Sequence, residues 1–167
     1  AEALNAFVSY NYPPLAEVGV GIHYNHHAIM KAGRNPVTIN TSLARGVVIV
    51  KIFPGITESI FRSMILAEGV GAIILETYGS GNAPTYGWCI DALKEVVRKG
   101  VFVMNVTQCA SGSVDMDIYE TGKMLQQAGI ISGHDITTEA AIAKMMYLLG
   151  QDLPRPAMLK SMRQSLR

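Results

Sequence analysis

Three apolar segments, separated by stretches with a helical pattern, constrain the fold of this chain more than any other feature. They cover residues 47–53, 71–77 and 101–106, and they are rich in Val, Ile and Leu. Strands that are apolar on both faces are typical of a parallel sheet that helices cover on both sides. The sequence therefore predicts an α/β fold, a small doubly wound parallel sheet with helices on both faces.

Start and stop signals, together with apolar residues at helical spacing, place five helices along the chain. Thr137 or Thr138 is an expected N-cap, and Gly100 and Gly129 are expected helix stops. Residues 1–45 show little periodicity, which indicates a linker or a segment that packs on a partner. The first predicted helix begins near residue 56. The other four span residues 84–99, 119–127, 137–149 and 155–166.

Composition and charge exclude several classes of function. Fourteen basic and thirteen acidic side chains give a net charge of +1 without a basic cluster, so no nucleic-acid partner is expected. The apolar segments are shorter than the ~20 residues of a membrane span, so no membrane partner is expected either. Cys89 and Cys109 are too few for a disulfide framework, and this favours a reducing cytoplasm.

The strongest local signal for a site is the turn at residues 77–84, TYGSGNAP, directly after the second apolar segment. Glycines at 79 and 81 allow a positive φ, and Asn82 is a polar residue at the carboxyl end of a strand. Ligands of α/β proteins bind at this edge of the sheet, where residues 54–55 and 107–113 are also expected. The turn is therefore the predicted ligand site.

Two glycine- or serine-containing motifs suggest enzymatic chemistry but are incomplete. Gly79-x-Gly81 resembles a dinucleotide fingerprint, yet Pro84 stands where the third glycine belongs, and Asn105 is neutral where an acidic residue would hold a ribose. Residues 111–113, Ser-Gly-Ser, lack the pattern of a nucleophile elbow. His134 has no evident serine or cysteine partner and is interpreted as a surface loop residue.

The histidines near residue 25 and Cys109 are candidates for a metal site and for a nucleophile, respectively. His23 and His27 have the spacing of a metal pair on a helix, but no Glu accompanies them, so a solvated linker is favoured over a metal site. Cys109 has no neighbouring base or positive charge, so it is interpreted as a ligand-contacting or merely buried thiol rather than a nucleophile. We therefore predict no metal, no cofactor and no complete catalytic set in this chain.

Several motifs in a fixed order add a resemblance to this interpretation. Together they make the chain similar to the carboxyl-terminal part of type I, cytoplasmic-type bacterial L-asparaginases. They are SYNYPPL at 9–15, FPG at 53–55, TYGSGNAP at 77–84, NVTQC at 105–109, YETG at 119–122 and GIISGHDIT at 129–137.

The resemblance implies a domain organisation and an activity. Residues 1–45 would be the end of a larger amino-terminal domain and the interdomain linker, 46–151 a Rossmann-like carboxyl-terminal domain, and 152–167 a terminal helix. The implied enzyme is a cytoplasmic homodimer or homotetramer that hydrolyses L-asparagine to L-aspartate and ammonia without a cofactor. Its catalytic threonines, aspartate and lysine lie in the amino-terminal domain, whose TGGTI and TDT motifs are not in this sequence. We expect no catalytic residue here, and Thr57 and Thr107 are not assigned as nucleophiles.

The resemblance also implies roles for particular residues. In this family the small domain of one subunit completes the active site of its neighbour, and the Asn of the glycine turn corresponds to Asn82. Tyr78 and Gly81 of the same turn are expected to bind substrate with it. Thr107 and Cys109 match a regulatory asparagine site of some members, although Glu76 stands where an arginine contributes to that site.

Two alternatives to an asparaginase domain remain at this point. One is a non-catalytic small-molecule-binding or assembly module with the same fold. The other is a related amidase subunit that releases ammonia for aminoacylated transfer RNA, for which a basic surface is not evident. Exposed apolar side chains around Phe7, Val8 and Leu15 would favour a parent enzyme, because they would indicate a surface covered by another domain.

Overall fold

The computed structural model describes residues 8–31, 39–84 and 86–164, which divide into two compact units, residues 1–41 and 42–167. In the first unit, strands β1 (Ala16–Val18) and β2 (Ile22–Tyr24) form an antiparallel hairpin. Its apolar side chains at Val18, Ile22 and Tyr24 are exposed. A two-stranded hairpin with exposed apolar residues is marginally stable in water by itself.

His23 lies in β2, opposite Glu17, and alternates with Ile22 and Tyr24 along this short strand. His26 and His27 follow the strand in a turn, and all three histidines are exposed. Phe7, part of the apolar surface expected near the start of the chain, lies outside the described residues.

The second unit is built on a four-stranded parallel sheet in which spatial order follows the order of the chain. The three predicted strands are confirmed, each within two residues of its expected ends. A fourth strand of only two residues was not predicted, since so short a segment has no periodicity to detect. The strands are β3 (Val47–Lys51), β4 (Ala72–Thr77), β5 (Phe102–Thr107) and β6 (Ile131–Ser132).

Five helices accompany the sheet in the described part of the second unit. The Thr137 side chain caps its helix by accepting a hydrogen bond from the Ala140 amide at 3.3 Å, as predicted, and Thr57 caps the first helix by accepting from Ile60. The predicted end of the last helix at Leu166 lies outside the described residues. The helices are α1 (Glu58–Ile65), α2 (Gly87–Arg98), α3 (Glu120–Gln127), α4 (Thr138–Leu149) and α5 (Arg155–Arg163).

The core has two layers, one on each face of the sheet. Ile73 and Leu75 of β4 face one layer, which contains the buried residues of α1, α2 and α3. Ala72 and Ile74 alternate with them and face the other layer, which contains those of α4 and α5. The predicted α/β fold with helices on both faces is therefore confirmed, and the second face is covered by the two helices that follow the last strand. No helix among the described residues is long and apolar enough to cross a membrane.

Candidate ligand-binding site at the carboxyl edge of the sheet

The register of the sheet brings the ends of two central strands together. Thr77 at the end of β4 pairs with Thr107 at the end of β5, so the loops that follow them leave the sheet side by side. These loops are the TYGSGNAP turn and the TQC segment. The edge predicted to carry the site is thus the place where its two polar motifs meet.

The TYGSGNAP turn closes on itself through its backbone. The Tyr78 amide donates to the Asn82 carbonyl at 2.9 Å, and the Asn82 amide donates to the Tyr78 carbonyl at 2.8 Å. Gly79 and Gly81 adopt φ values of 50° and 108°, the positive φ that two glycines are expected to allow here. Both backbone groups of Asn82 form hydrogen bonds within the turn, and its side chain is not part of this closure.

Gly81 is required by close packing as well as by its φ. A Cβ atom at this position would lie 2.7 Å from Cγ1 of Val114 and 3.1 Å from Nδ2 of Asn105. The Gly81 carbonyl accepts a hydrogen bond from Asn105 Nδ2 at 3.1 Å. Gly81 is buried, and it holds the turn against the sheet and against the segment that contains Val114.

A buried pair of polar side chains supports the turn from behind. Thr77 and Asn105 are both 0% exposed, and the Thr77 hydroxyl donates to Asn105 Oδ1 at 2.6 Å. Since Asn105 Nδ2 donates to Gly81, this amide is satisfied at both ends. Sequence reasoning considered Asn105 only for a ribose and missed this structural role. The available signal was a polar residue inside each of two apolar strands.

Asn82 is half-buried at the front of the turn. Its Oδ1 accepts a hydrogen bond from the Thr121 hydroxyl at 2.8 Å. Its Nδ2 has no hydrogen-bond partner within the described part of the chain and is not among buried unpaired atoms, so this nitrogen is accessible to solvent. The predicted ligand-contacting residue therefore carries an open pair of hydrogen-bond donors.

Tyr78 lies between this polar group and an apolar surface. It is half-buried and lines a cavity of about 280 Å³. Tyr86 in the same cavity stacks on Trp88, with ring centroids 5.6 Å apart. The cavity is lined by Phe53, Pro54, Gly55, Tyr78, Ala83, Pro84 and Tyr86.

The TQC segment is tied to the turn and to the neighbouring strands. The Thr107 hydroxyl donates to the Gly79 carbonyl at 2.6 Å and accepts from the Cys109 amide at 3.0 Å. The Gln108 Nε2 donates to the carbonyl of Ile52 at 2.6 Å and to that of Glu76 at 2.9 Å. Sequence reasoning missed the role of Gln108, because its partners lie far away along the chain.

Cys109 is exposed, so the interpretation of a merely buried thiol is wrong. It lies just beyond the end of β5, where the chain has left the core. Thr107 and the TYGSGNAP turn are in direct contact, whereas the role of Cys109 in ligand contact stays a prediction.

Glu76, the residue before Thr77 in β4, is engaged within the domain. Its Oε1 accepts from the Thr138 hydroxyl at 2.6 Å at the start of α4, and its Oε2 lies 3.9 Å from Lys51 Nζ. The side chain is 15% exposed. A carboxylate held in this way repels a carboxylate ligand, which an arginine would attract.

The described residues hold no group of three His, Cys, Asp or Glu side chains placed to bind a metal ion. His134 lies in a loop at a φ of 53°, and its amide donates to the Ser132 hydroxyl at 3.2 Å. Its exposure and position just before α4 agree with the interpretation of a surface loop residue.

Comparisons with known proteins show what the chain is similar to. Residues 46–162 match the sequence profile of the glutaminase/asparaginase C-terminal domain. L-asparaginase 1 of Escherichia coli (strain K12) is 38% identical over 167 residues, which cover 100% of this chain and 49% of that protein. The 60 kDa lysophospholipase of Mus musculus is 38% identical over 152 residues, 90% of this chain and 27% of that protein.

A solved structure is also similar. The crystal structure of L-asparaginase I from Vibrio cholerae O1 biovar eltor matches with a TM-score of 0.90 and 39% identity. The match covers 97% of this chain and 49% of that one. The chain thus spans about half the length of the bacterial relatives that it matches.

Proposed function

The chain belongs to the glutaminase/asparaginase C-terminal domain family, and from that premise we propose that it is the carboxyl-terminal domain of an L-asparagine amidohydrolase. The complete enzyme hydrolyses L-asparagine to L-aspartate and ammonia in the cytoplasm. Its catalytic threonines belong to an amino-terminal domain. The carboxyl-terminal domain described here is therefore inactive by itself.

The observation that carries the proposal is the side chain of Asn82. It stands on a turn closed by two backbone hydrogen bonds, and its open Nδ2 faces solvent. An amide held on a rigid turn binds a polar ligand at a low entropic cost, because little freedom remains to be lost. We assign Asn82 to the substrate of a neighbouring subunit in a homodimer or homotetramer, with Tyr78 and Gly81 shaping the same site.

Exposed apolar side chains in the first unit support a parent enzyme with a further domain. Val8 is 59% exposed and Leu15 is 51% exposed, as expected for a surface that another domain covers. We propose that residues 1–45 belong to that amino-terminal domain and the linker, while 46–151 form the carboxyl-terminal domain and 152–167 its terminal helix.

Regulation by asparagine is the second part of the proposal. We assign Thr107 and Cys109 to an effector-binding loop, because Thr107 contacts the TYGSGNAP turn through the Gly79 carbonyl. Glu76 weakens the binding of a carboxylate ligand at this loop, because its negative charge repels the ligand. Its oxygens accept a hydrogen bond from Thr138 at the start of α4 and lie near Lys51. We expect asparagine to act as a poor effector of this enzyme.

The substrate role of Asn82 is tested in the full-length source protein. Asn82→Ala should raise KM for L-asparagine by about tenfold with a similar melting temperature, since a charge-assisted hydrogen bond contributes about 1.5 kcal/mol. Ser80→Ala, in the same turn, serves as the control and should leave KM unchanged. An unchanged KM in Asn82→Ala would favour the non-catalytic module instead.

The contribution across subunits has its own test. Asn82→Ala protein is mixed with a variant that lacks the nucleophilic threonine of the amino-terminal domain, and the subunits are exchanged. If Asn82 completes the neighbouring site, hybrid dimers contain one intact site and recover L-asparaginase activity at low substrate concentration. No recovery in hybrid dimers would place Asn82 in the site of its own subunit.

A further inference from the structure

Among the described residues, Thr121 is the only one that forms a hydrogen bond with the side chain of Asn82. Its hydroxyl donates to Asn82 Oδ1 at 2.8 Å across 39 residues of sequence, from the second position of α3. Thr121 is half-buried, like Asn82 itself. The contact joins the front of the TYGSGNAP turn to a separate helix.

This hydrogen bond decides which atoms of the amide are available. An amide has one acceptor oxygen and one nitrogen with two hydrogens. Because Thr121 donates to the oxygen, the nitrogen is directed away from Thr121 and toward solvent. Asn82 therefore presents hydrogen-bond donors at the site.

The helix that carries Thr121 is held firmly against the turn. Gly122 packs so closely that a Cβ there would lie 2.5 Å from the carbonyl oxygen of Met116 and 2.7 Å from its Cα. One residue before Met116, the Asp115 amide donates to the Ser80 carbonyl at 2.9 Å. The segment between them thus fixes the start of α3 relative to the turn.

On the basis of the proposed function, we propose that Thr121 is a positioning residue that orients the Asn82 amide. With Oδ1 bound to Thr121, Nδ2 donates to an acceptor oxygen of the amino-acid substrate. Asn82 then recognises an oxygen of the substrate and not its ammonium group. Thr121 acts through Asn82 and makes no contact with the substrate itself.

The first test uses the full-length source protein with Thr121→Val and Thr121→Ser. Valine keeps the shape but not the hydroxyl, so KM for L-asparagine should rise roughly fivefold while kcat changes by less than about twofold. Serine keeps the hydroxyl and should give nearly the original KM. Equal KM values in Thr121→Val and the unmodified enzyme would overturn the proposal, and so would a raised KM in Thr121→Ser with an unchanged melting temperature.

Thr138→Val is a matched control. Thr138 is also half-buried near the start of a helix, and its hydroxyl also donates to a side-chain oxygen, that of Glu76. The two valine variants should have similar melting temperatures, but only Thr121→Val should have a raised KM. A similar rise in KM for both variants would show a general effect of lost hydrogen bonds and would contradict a specific role.

A double-mutant cycle separates this proposal from the proposed function. In an Asn82→Ala background, Thr121→Val should cause no further increase in KM, because the group that it positions is gone. Independent effects of the two substitutions would overturn the role of Thr121. An unchanged KM in Asn82→Ala alone would instead refute the substrate role of Asn82, on which the proposal rests.

Asn82→Asp tests the polarity of the contact. Aspartate replaces the Nδ2 donor with an acceptor and adds a negative charge. If Nδ2 donates to a substrate oxygen, KM in Asn82→Asp should equal or exceed that in Asn82→Ala. A KM below that of Asn82→Ala would indicate a contact with the ammonium group and would overturn the assignment.

Discussion

Asn105 and Asn82 lie on opposite sides of the same turn, and their amides are used differently. Asn105 is fully buried, its oxygen accepts from Thr77, and its nitrogen donates to the Gly81 carbonyl. Asn82 is half-buried, its oxygen accepts from Thr121, and its nitrogen faces solvent. In both cases a threonine hydroxyl fixes the oxygen, and the difference is the state of the nitrogen.

The comparison separates structural from functional polarity. A buried amide that lacks a partner costs stability, so Asn105 has all the partners it needs. A half-buried amide can leave its donors to water at little cost and exchange water for a ligand when one binds. Unused hydrogen-bonding capacity on a rigid turn is therefore the observation on which we base the proposed ligand-binding role of Asn82, and Asn105 lacks it.

The largest expected effect on stability comes from Gly81, which precedes Asn82 in the turn and packs against Asn105. Gly81→Ala adds a Cβ within 2.7 Å of Val114 and within 3.1 Å of Asn105, at a φ of 108°. Strain and overlap together should lower the free energy of unfolding by about 3 kcal/mol. The measurement is urea unfolding followed by the fluorescence of Trp88, the single tryptophan of the chain.

Gly79→Ala is the matched control for this prediction. Gly79 also has a positive φ, of 50°, but no atom lies within 4 Å of a Cβ built there. Gly79→Ala should lower the free energy of unfolding by only about 1 kcal/mol, because alanine is less stable than glycine in the left-handed backbone conformation. Equal losses at the two positions would contradict the close packing of Gly81 on Val114 and Asn105.

The asparagines themselves should give the next largest difference. Asn105→Ala leaves the Gly81 carbonyl without its donor and opens a cavity, so the free energy of unfolding should fall by about 2–3 kcal/mol. The Thr77 hydroxyl retains a contact with the Val106 carbonyl at 3.4 Å, which limits the loss. Asn82→Ala removes one half-exposed hydrogen bond and should cost about 1 kcal/mol or less.

The same urea titration checks both variants. The two asparagines should differ in opposite directions in stability and in KM. Asn105→Ala should be the less stable variant, and Asn82→Ala should be the one with the raised KM in the full-length enzyme. A larger loss of stability in Asn82→Ala would mean that the two side chains do not divide structure and ligand binding between them.

The fold was predictable from the sequence because its signals are local. Apolar runs define three strands, Thr137 marks a helix start, and Gly79 and Gly81 mark a turn that only residues tolerant of positive φ can form. The position of Asn82 at the carboxyl edge follows from the same reasoning. The strand β6, with two residues, carries too little pattern to be found.

The contacts that make the site are not local, and they could not be predicted. Thr77 meets Asn105 across 28 residues, and Gln108 reaches the Ile52 carbonyl across 56. No periodicity encodes such pairs, because they arise only when parallel strands settle into register. A polar residue inside an apolar strand indicates that a partner exists, but the sequence does not say which one.

The two cysteines repeat the contrast between a buried and an exposed group. Burial raises the pKa of the Cys89 thiol from 9.0 to about 11. Between pH 9 and 11 the folded thiol keeps its proton while the unfolded thiol loses it. The free energy of unfolding should therefore fall by about 2 kcal/mol as the pH rises through this window.

Cys109 is exposed and provides the reference for this measurement. Urea unfolding of Cys89→Ala and Cys109→Ala is compared from pH 8.5 to 11 in the presence of a reductant, conditions chosen on the basis of the ~8.5 pKa of a free thiol. All other side chains are the same in both variants, so the difference between the two slopes reports the difference between Cys89 and Cys109. Cys109→Ala should lose stability more steeply, because it retains the buried thiol, and parallel slopes would show that Cys89 ionises in the folded chain as readily as in the unfolded one.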